Sequence, residues 1–209
     1  MSVSKTKTIV LVHGLWETAF YLRILGHRLK KSGYNVQYFS YSGVSCELTA
    51  NVESLFKLLE TLKTEDIYLV GHSLGGLVVL GLLAKYSALN VRCSVIFGTP
   101  VNGSSVAKAF GKSYLGSRMM GSSYAALCNG ARLLSDQKVG VIAGIGGKGL
   151  GQFFAKLQKP HDGVVSVSET VLPNAVDSAC LTSSHFTMLL SKSLADEIIS
   201  FFKTEKFIS

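Results

Sequence analysis

A serine stands between two glycines in Gly71-His72-Ser73-Leu74-Gly75, after the apolar run Ile67–Val70 and before the helical pattern Leu74–Tyr86. On so tight a strand-to-helix turn a side chain projects out of the sheet. Bulk two residues to either side would collide with the turn, hence Gly71 and Gly75. The start of the following helix adds free N–H groups and partial positive charge. These are the needs of a serine nucleophile in acyl transfer, and an incidental serine in a turn is the plainer alternative. Acyl transfer also needs two N–H donors aimed at the developing oxyanion. Leu74, directly after the serine, is placed to supply one. In the stretch VLVHGLWE (10–17), His13-Gly14 ends an early strand, and Gly14 allows a turn that aims the Leu15 N–H inward as the second. Trp16 is then a candidate for the wall of a substrate pocket, and His13 reads as a structural hydrogen-bonder rather than a base.

The general base should be a histidine on a loop after a late strand. Of the five histidines, His27 falls inside a helix, His72 points away from Ser73, and His161 precedes the last strand. His185, in LTSSHFTMLL, follows the strand Val176–Leu181 and is the expected base. Its acid partner fixes the tautomer and stabilises the imidazolium. Asp66 and Asp177 begin strands, Asp196 lies mid-helix and Asp136 lies just before a strand. Asp162, in KPHDGVVSVSET, sits in a turn after a strand and is the expected acid, with Glu169 as the fallback. The order Ser73, Asp162, His185 is the Ser–Asp–His order of one of the known triad arrangements.

Positioning these groups requires strands that end at the site. Apolar runs rich in β-branched residues occur at Thr8–Val12, Asn35–Ser40, Ile67–Gly71, Arg92–Phe97, Val139–Ala143 and Val176–Leu181. Several are continuous rather than alternating, as in strands covered on both faces. Helical patterns lie between them at Ala19–Lys31, Leu48–Leu62, Ser73–Tyr86 and Phe186–Phe202. The alternation predicts an α/β fold: a doubly wound, mostly parallel sheet of about six strands flanked by helices, with ligands outside the carboxyl ends of the strands. Residues 103–160 break the rhythm. They are rich in Gly and Ser and carry helical patterns at Tyr124–Leu134 and Gly151–Gln158, and much of the segment reads as a small cap inserted in a single domain spanning 1–209.

Composition narrows the class. The chain has 209 residues, 47% of them apolar, enough for one domain with a substantial core. Cys46, Cys93, Cys128 and Cys180 lie far apart without a CxxC pair, which argues against a metal site and fits reduced thiols in a cytoplasmic protein. No run approaches the ~20 apolar residues of a membrane span. The opening residues do not look like a signal peptide. Net charge is +8, with no nucleic-acid signature. Segment 103–160 holds Lys108, Lys112, Arg118, Arg132, Lys138, Lys148, Lys156 and Lys159 against the single acid Asp136. A positive rim of this kind would attract anionic substrates or an anionic lipid surface, and a solvated charged face that only aids solubility is the plainer alternative.

Taken in order, LVHGL, GHSLGG, FGTPVNGS (97–104) and HDGVVSVSE (161–169) resemble the motifs of the α/β-hydrolase superfamily, and more closely those of bacterial triacylglycerol lipases and their esterase relatives. The resemblance covers nearly the whole chain. It implies a minimal α/β-hydrolase fold and hydrolysis of a small-molecule or lipid ester through an acyl-enzyme on Ser73, without a cofactor. Acyltransferase or thioesterase action by the same residues is the alternative, and a non-catalytic binding protein the remote one. Many members bind calcium through an aspartate two residues after the catalytic histidine. Thr187 stands there, so no metal is expected. An extra antiparallel edge hairpin of the family is also expected to be missing.

Overall fold

The computed structural model describes residues 7–62, 66–133 and 136–209. Its strands are β1 (Lys7–Val12), β2 (Asn35–Phe39), β3 (Asp66–His72), β4 (Val91–Phe97), β5 (Val139–Gly144) and β6 (Asp177–Leu181). They form one sheet in the order β2-β1-β3-β4-β5-β6, and every neighbouring pair is parallel. The strand positions expected from sequence hold to within a residue or two. The physical reason is visible in β1. Ile9 and Leu11 face one core while Val10 and Val12 face the other, so a strand buried on both sides must be apolar at every position.

Helices cover both faces. α1 (Arg23–Lys31) and α8 (Lys192–Thr204) close over Ile9, Leu11, Val95, Phe97 and Ile142. α2 (Leu48–Thr61) and α3 (Leu74–Lys85) close over Val10, Val12, Leu69 and Ile96. From β1 the chain winds outward to β2, then returns across β1 to β3 and continues the other way. The winding direction therefore reverses between β1 and β3, and the crevice at such a reversal is where ligands sit in open α/β sheets. Val12 pairs with Gly71 in register, so the loop after β1 leaves the sheet beside the turn after β3.

The expected helices are modified where side-chain demands intervene. The first begins as a 3₁₀ turn at Ala19–Leu22 before becoming α1. The last is broken at Ser191, whose hydroxyl accepts the Leu194 N–H, leaving a 3₁₀ turn (Thr187–Leu190) ahead of α8. Segment 103–160 departs most. Buried strand β5, expected at Val139–Ala143, passes through its middle and divides it in two. Before β5 come three short helices, α4 (Ser105–Phe110), α5 (Tyr114–Met120) and α6 (Tyr124–Asn129). α6 stops at Gly130, which has φ +72, and position 134 of the expected Tyr124–Leu134 helix lies outside the described residues. After β5, the helix expected at Gly151–Gln158 is replaced by a single 3₁₀ turn, Leu150–Phe153. Gly151 packs there against the backbone of Gly163, where a Cβ would come within 2.6 Å of its oxygen. One short helix, α7 (Val167–Thr170), precedes β6. No helix among the described residues is long and apolar enough to cross a membrane.

Candidate active site

Ser73 occupies the turn between β3 and α3 with φ +53 and ψ −121, a backbone conformation that side chains other than glycine rarely adopt. Its N–H donates to the Phe97 carbonyl at 3.0 Å, which pins the turn to β4. The glycines around it are required by close approach. A Cβ on Gly71 would lie 2.6 Å from the Gly76 Cα, and one on Gly75 would overlap the carbonyl oxygens of Val12 and His13. Gly76, which the sequence reading did not single out, is equally constrained, by Thr99.

His185 and Asp162 come together from two loops after β5 and β6. The imidazole Nδ1 lies 2.6 Å from Asp162 Oδ2, and both groups are buried. The other carboxylate oxygen accepts the N–H groups of Val164 and Val165 at 2.8 and 2.7 Å. The His185 N–H donates to the Asp162 carbonyl at 3.0 Å, locking the two loops together. Burial alone would raise the Asp162 pKa, but the His185 charge and hydrogen bond, with the two N–H donors, hold it below the usual carboxylate value. Burial would lower the His185 pKa, and Asp162 together with Glu17 outweighs it and raises it. Glu169 is elsewhere engaged: it accepts the Ser166 N–H in a capping box on α7 and the Ser105 N–H at the start of α4.

The loop after β1 is tied from several directions. His13 Nδ1 lies 2.8 Å from the Gly14 carbonyl oxygen, and its Nε2 accepts the Tyr41 N–H at 3.4 Å. Nδ1 therefore carries the proton and donates. Burial lowers the His13 pKa, which keeps the ring neutral in this role. Tyr41 stacks on the ring at 4.4 Å and donates its hydroxyl to the His13 carbonyl at 2.8 Å. Leu15 follows Gly14 and faces the same cavity as Ser73. Leu74 opens α3, where first-turn N–H groups have no partner within the helix. Trp16 has φ +59, donates its indole N–H to the Met119 carbonyl at 3.0 Å and meets Phe110 edge to face.

A cavity of about 320 Å³ opens above these groups. Ser73, His185, Leu15, Trp16 and Glu17 line it, together with Ala107, Phe110, Met119, Leu127, Leu150 and Phe154 from segment 103–160. The Ser73 hydroxyl and His185 share this space, although among the described residues that hydroxyl makes no hydrogen bond. Such contacts are often long before substrate binds. The sequence reading missed Glu17, a buried carboxylate on the cavity wall. Its one available signal was an acid placed directly after the apolar HGLW stretch. It also missed Phe186 and the apolar wall residues, which look like core positions in sequence. At position 187 the threonine hydroxyl accepts the Ser184 N–H at 2.9 Å. No group of three or more His, Cys, Asp or Glu side chains among the described residues is arranged to hold a metal ion.

A parallel sheet with a strained serine at its winding reversal, and an imidazole–carboxylate pair across one cavity, defines the class of α/β proteins built for chemistry at strand ends. The chain belongs to the alpha/beta hydrolase family, whose model matches residues 9–175. It is 32% identical over 82 residues to a carbendazim hydrolyzing esterase of Nocardioides sp. (strain SG-4G), a match covering 35% of this chain and 34% of that protein's length. Among solved structures, Bacillus licheniformis lipase BlEst2 in mature form superposes with a TM-score of 0.69 at 19% identity, over 97% of this chain and 92% of that one. The esterase EaEST from Exiguobacterium antarcticum gives 0.68 at 15% identity, over 97% and 94%. These two establish a shared fold.

Proposed function

We propose that the protein is a serine hydrolase of carboxylic esters, with Ser73 as nucleophile, His185 as general base and Asp162 as its orienting acid. The observation that carries this reading is the placement of Ser73, on a left-handed backbone, in one cavity with an imidazole whose far nitrogen is bonded to a buried carboxylate. His185 Nε2 takes the Ser73 proton as Oγ attacks the ester carbonyl. The Leu15 and Leu74 N–H groups hold the oxyanion, and loss of one such donor typically costs about 10²–10³ in rate. His185 then protonates the departing alcohol. Water, deprotonated by the same nitrogen, cleaves the acyl-enzyme to release the carboxylic acid and restore Ser73. No cofactor takes part. The apolar wall suits a hydrocarbon acyl group, with Trp16 lining its entrance.

The α4–α6 piece and the loop 145–160 act as a cap in this reading. Trp16, Met119, Leu150, Phe154 and Phe186 line the cavity and are also exposed, forming an apolar collar at its mouth. Lys112, Arg118, Lys148 and Lys156 lie within two residues of collar or wall residues along the chain. Aromatic groups interleaved with cations suit an anionic lipid surface as the source of the ester. The four cysteines are free thiols, which fits a reducing cytoplasm. A fluorophosphonate probe is expected to label the wild type on Ser73 and not Ser73→Ala. A wild type that takes no label, or an alanine variant labelled as well, overturns the reading. Hydrolysis in anionic vesicles should exceed that in neutral ones at low salt, and equal rates would remove the lipid-surface part alone.

A further inference from the structure

Glu17 is a buried carboxylate that the acyl-transfer steps do not use. Its two partners belong to different segments, the loop after β1 and the end of β3. Oε2 accepts the Gly14 N–H at 2.8 Å, and His72 Nδ1 lies 3.0 Å from both carboxylate oxygens. Gly14 immediately precedes Leu15, and His72 immediately precedes Ser73. We propose that Glu17 and His72 form a clamp that sets the spacing between the loop presenting the Leu15 N–H and the turn presenting Ser73 and the Leu74 N–H. The inference rests on the assignment of those two N–H groups as oxyanion donors.

The geometry around the clamp is directional. The Glu17 N–H also donates to the Gly14 carbonyl at 3.4 Å, and His13 Nδ1–H meets that same oxygen at 2.8 Å. A peptide unit is planar and trans, so holding the carbonyl end of Gly14–Leu15 sends its N–H to the opposite side. The clamp sits close to the reacting atoms. A Cβ placed on Gly14 would come within 3.2 Å of the Glu17 carboxylate and 3.1 Å of the Ser73 Cβ. Nor can it slide, because the fully buried His72 ring stacks on Phe97 and packs against His185, each at 4.7 Å between centroids. An apolar side chain of similar size would fill this space at a lower desolvation cost. The distinctive contribution of the carboxylate is therefore two aimed hydrogen bonds, one to the loop after β1 and one to the end of β3. Burial alone would push its pKa up, but the His72 charge and the hydrogen bonds from His72 and Gly14 hold it down, so it is an acceptor at neutral pH.

The test compares p-nitrophenyl butyrate kinetics and fluorophosphonate labelling for the wild type, Glu17→Met, His72→Phe, the double variant and Glu17→Gln. Releasing the clamp from either side is expected to lower kcat about 10–100-fold with KM moving less than about threefold, since displacement of a group by about 1 Å can cost 10² in rate. The double variant should lose no more than the worse single variant, because Glu17→Met already removes the His72 contact that His72→Phe removes. In Glu17→Gln a single amide oxygen can accept both bonds, so kcat should recover to within about fivefold of wild type, a uniform stability defect being unable to give this pattern. Wild-type kcat in both single variants, multiplying losses in the double, or no rescue by glutamine would each overturn the clamp. If Glu17→Met fails to fold in a thermal melt, His72→Phe, which keeps the stacked ring and removes only its nitrogens, decides the matter alone. A wild type that neither labels nor hydrolyses overturns the underlying reading. An active wild type with unaffected clamp variants overturns the clamp and leaves that reading standing.

Discussion

Two carboxylate–imidazole pairs lie side by side in this molecule, with their rings 4.7 Å apart, and they face the cavity in opposite senses. In the first, His185 lines the cavity and Asp162 stands behind it, its second oxygen filled by two backbone N–H groups. In the second, Glu17 lines the cavity and His72 stands behind, its buried Nε2 having no hydrogen-bond partner among the described residues. The difference in order matters more than the shared chemistry. An imidazole in front of its acid can pass a proton to and from a bound molecule while the acid steadies the charge. An acid in front of its imidazole has no free nitrogen to offer and is suited to holding backbone in place. A carboxylate bonded to a histidine is thus an incomplete signature of catalysis until one asks which of the two reaches the substrate.

The comparison can be broken at its strongest point first. Ser73→Ala and His185→Ala are each expected to lower kcat on an activated ester by about 10⁴-fold or more, as removal of a bond-making or proton-moving group does in such sites. Residual rates near wild type would mean that the front imidazole is not the working one. Asp162→Asn should cost less, about 10²–10⁴-fold, because it disturbs only orientation and charge. If that variant keeps full activity while Glu169→Gln loses it, the acid has been misassigned. The pH profile sharpens the same contrast. In its proposed role His185 is a base only when neutral, and Asp162 and Glu17 raise its pKa above 6.5. Activity of the wild type should therefore climb with pH through a midpoint above 6.5, which is the unperturbed histidine value. In Asp162→Asn the charge that favours the imidazolium is gone, so the climb should move to lower pH. A midpoint that stays put would detach Asp162 from the titrating group. The smallest expected effect is that of chelation: EDTA should leave ester hydrolysis unchanged, and a loss restored by calcium would reverse this expectation.

The core of the fold was legible in the sequence because its strands are covered on both sides, and a doubly covered strand leaves an unbroken apolar run between turn residues. The elbow was legible for a steric reason, since Gly71 and Gly75 have no room for a side chain. The cap was not. GQFFAKLQ carries helical spacing, yet its backbone is set by contact between Gly151 and Gly163, two segments whose approach no local pattern announces. Glu17 was overlooked for a related reason. Its partners are a backbone N–H three residues back and a ring 55 residues away, and only the second of these makes it part of the site.

The left-handed backbone at Ser73 bears on what would become of this sequence without its chemistry. A non-glycine residue held in so sparse a region of conformational space costs about 1–3 kcal/mol. Glycine would shed that strain at an expense of about 0.5–1 kcal/mol in chain entropy. Against a net stability of about 5–15 kcal/mol for a domain, the relief is appreciable. If the proposed ester cleavage is the protein's activity, any lineage released from it would gain robustness by exchanging the hydroxyl for a hydrogen atom, and the slope toward an inert binding protein runs downhill from the first step. On the proposed mechanism, use of the oxygen itself is what holds serine at this position.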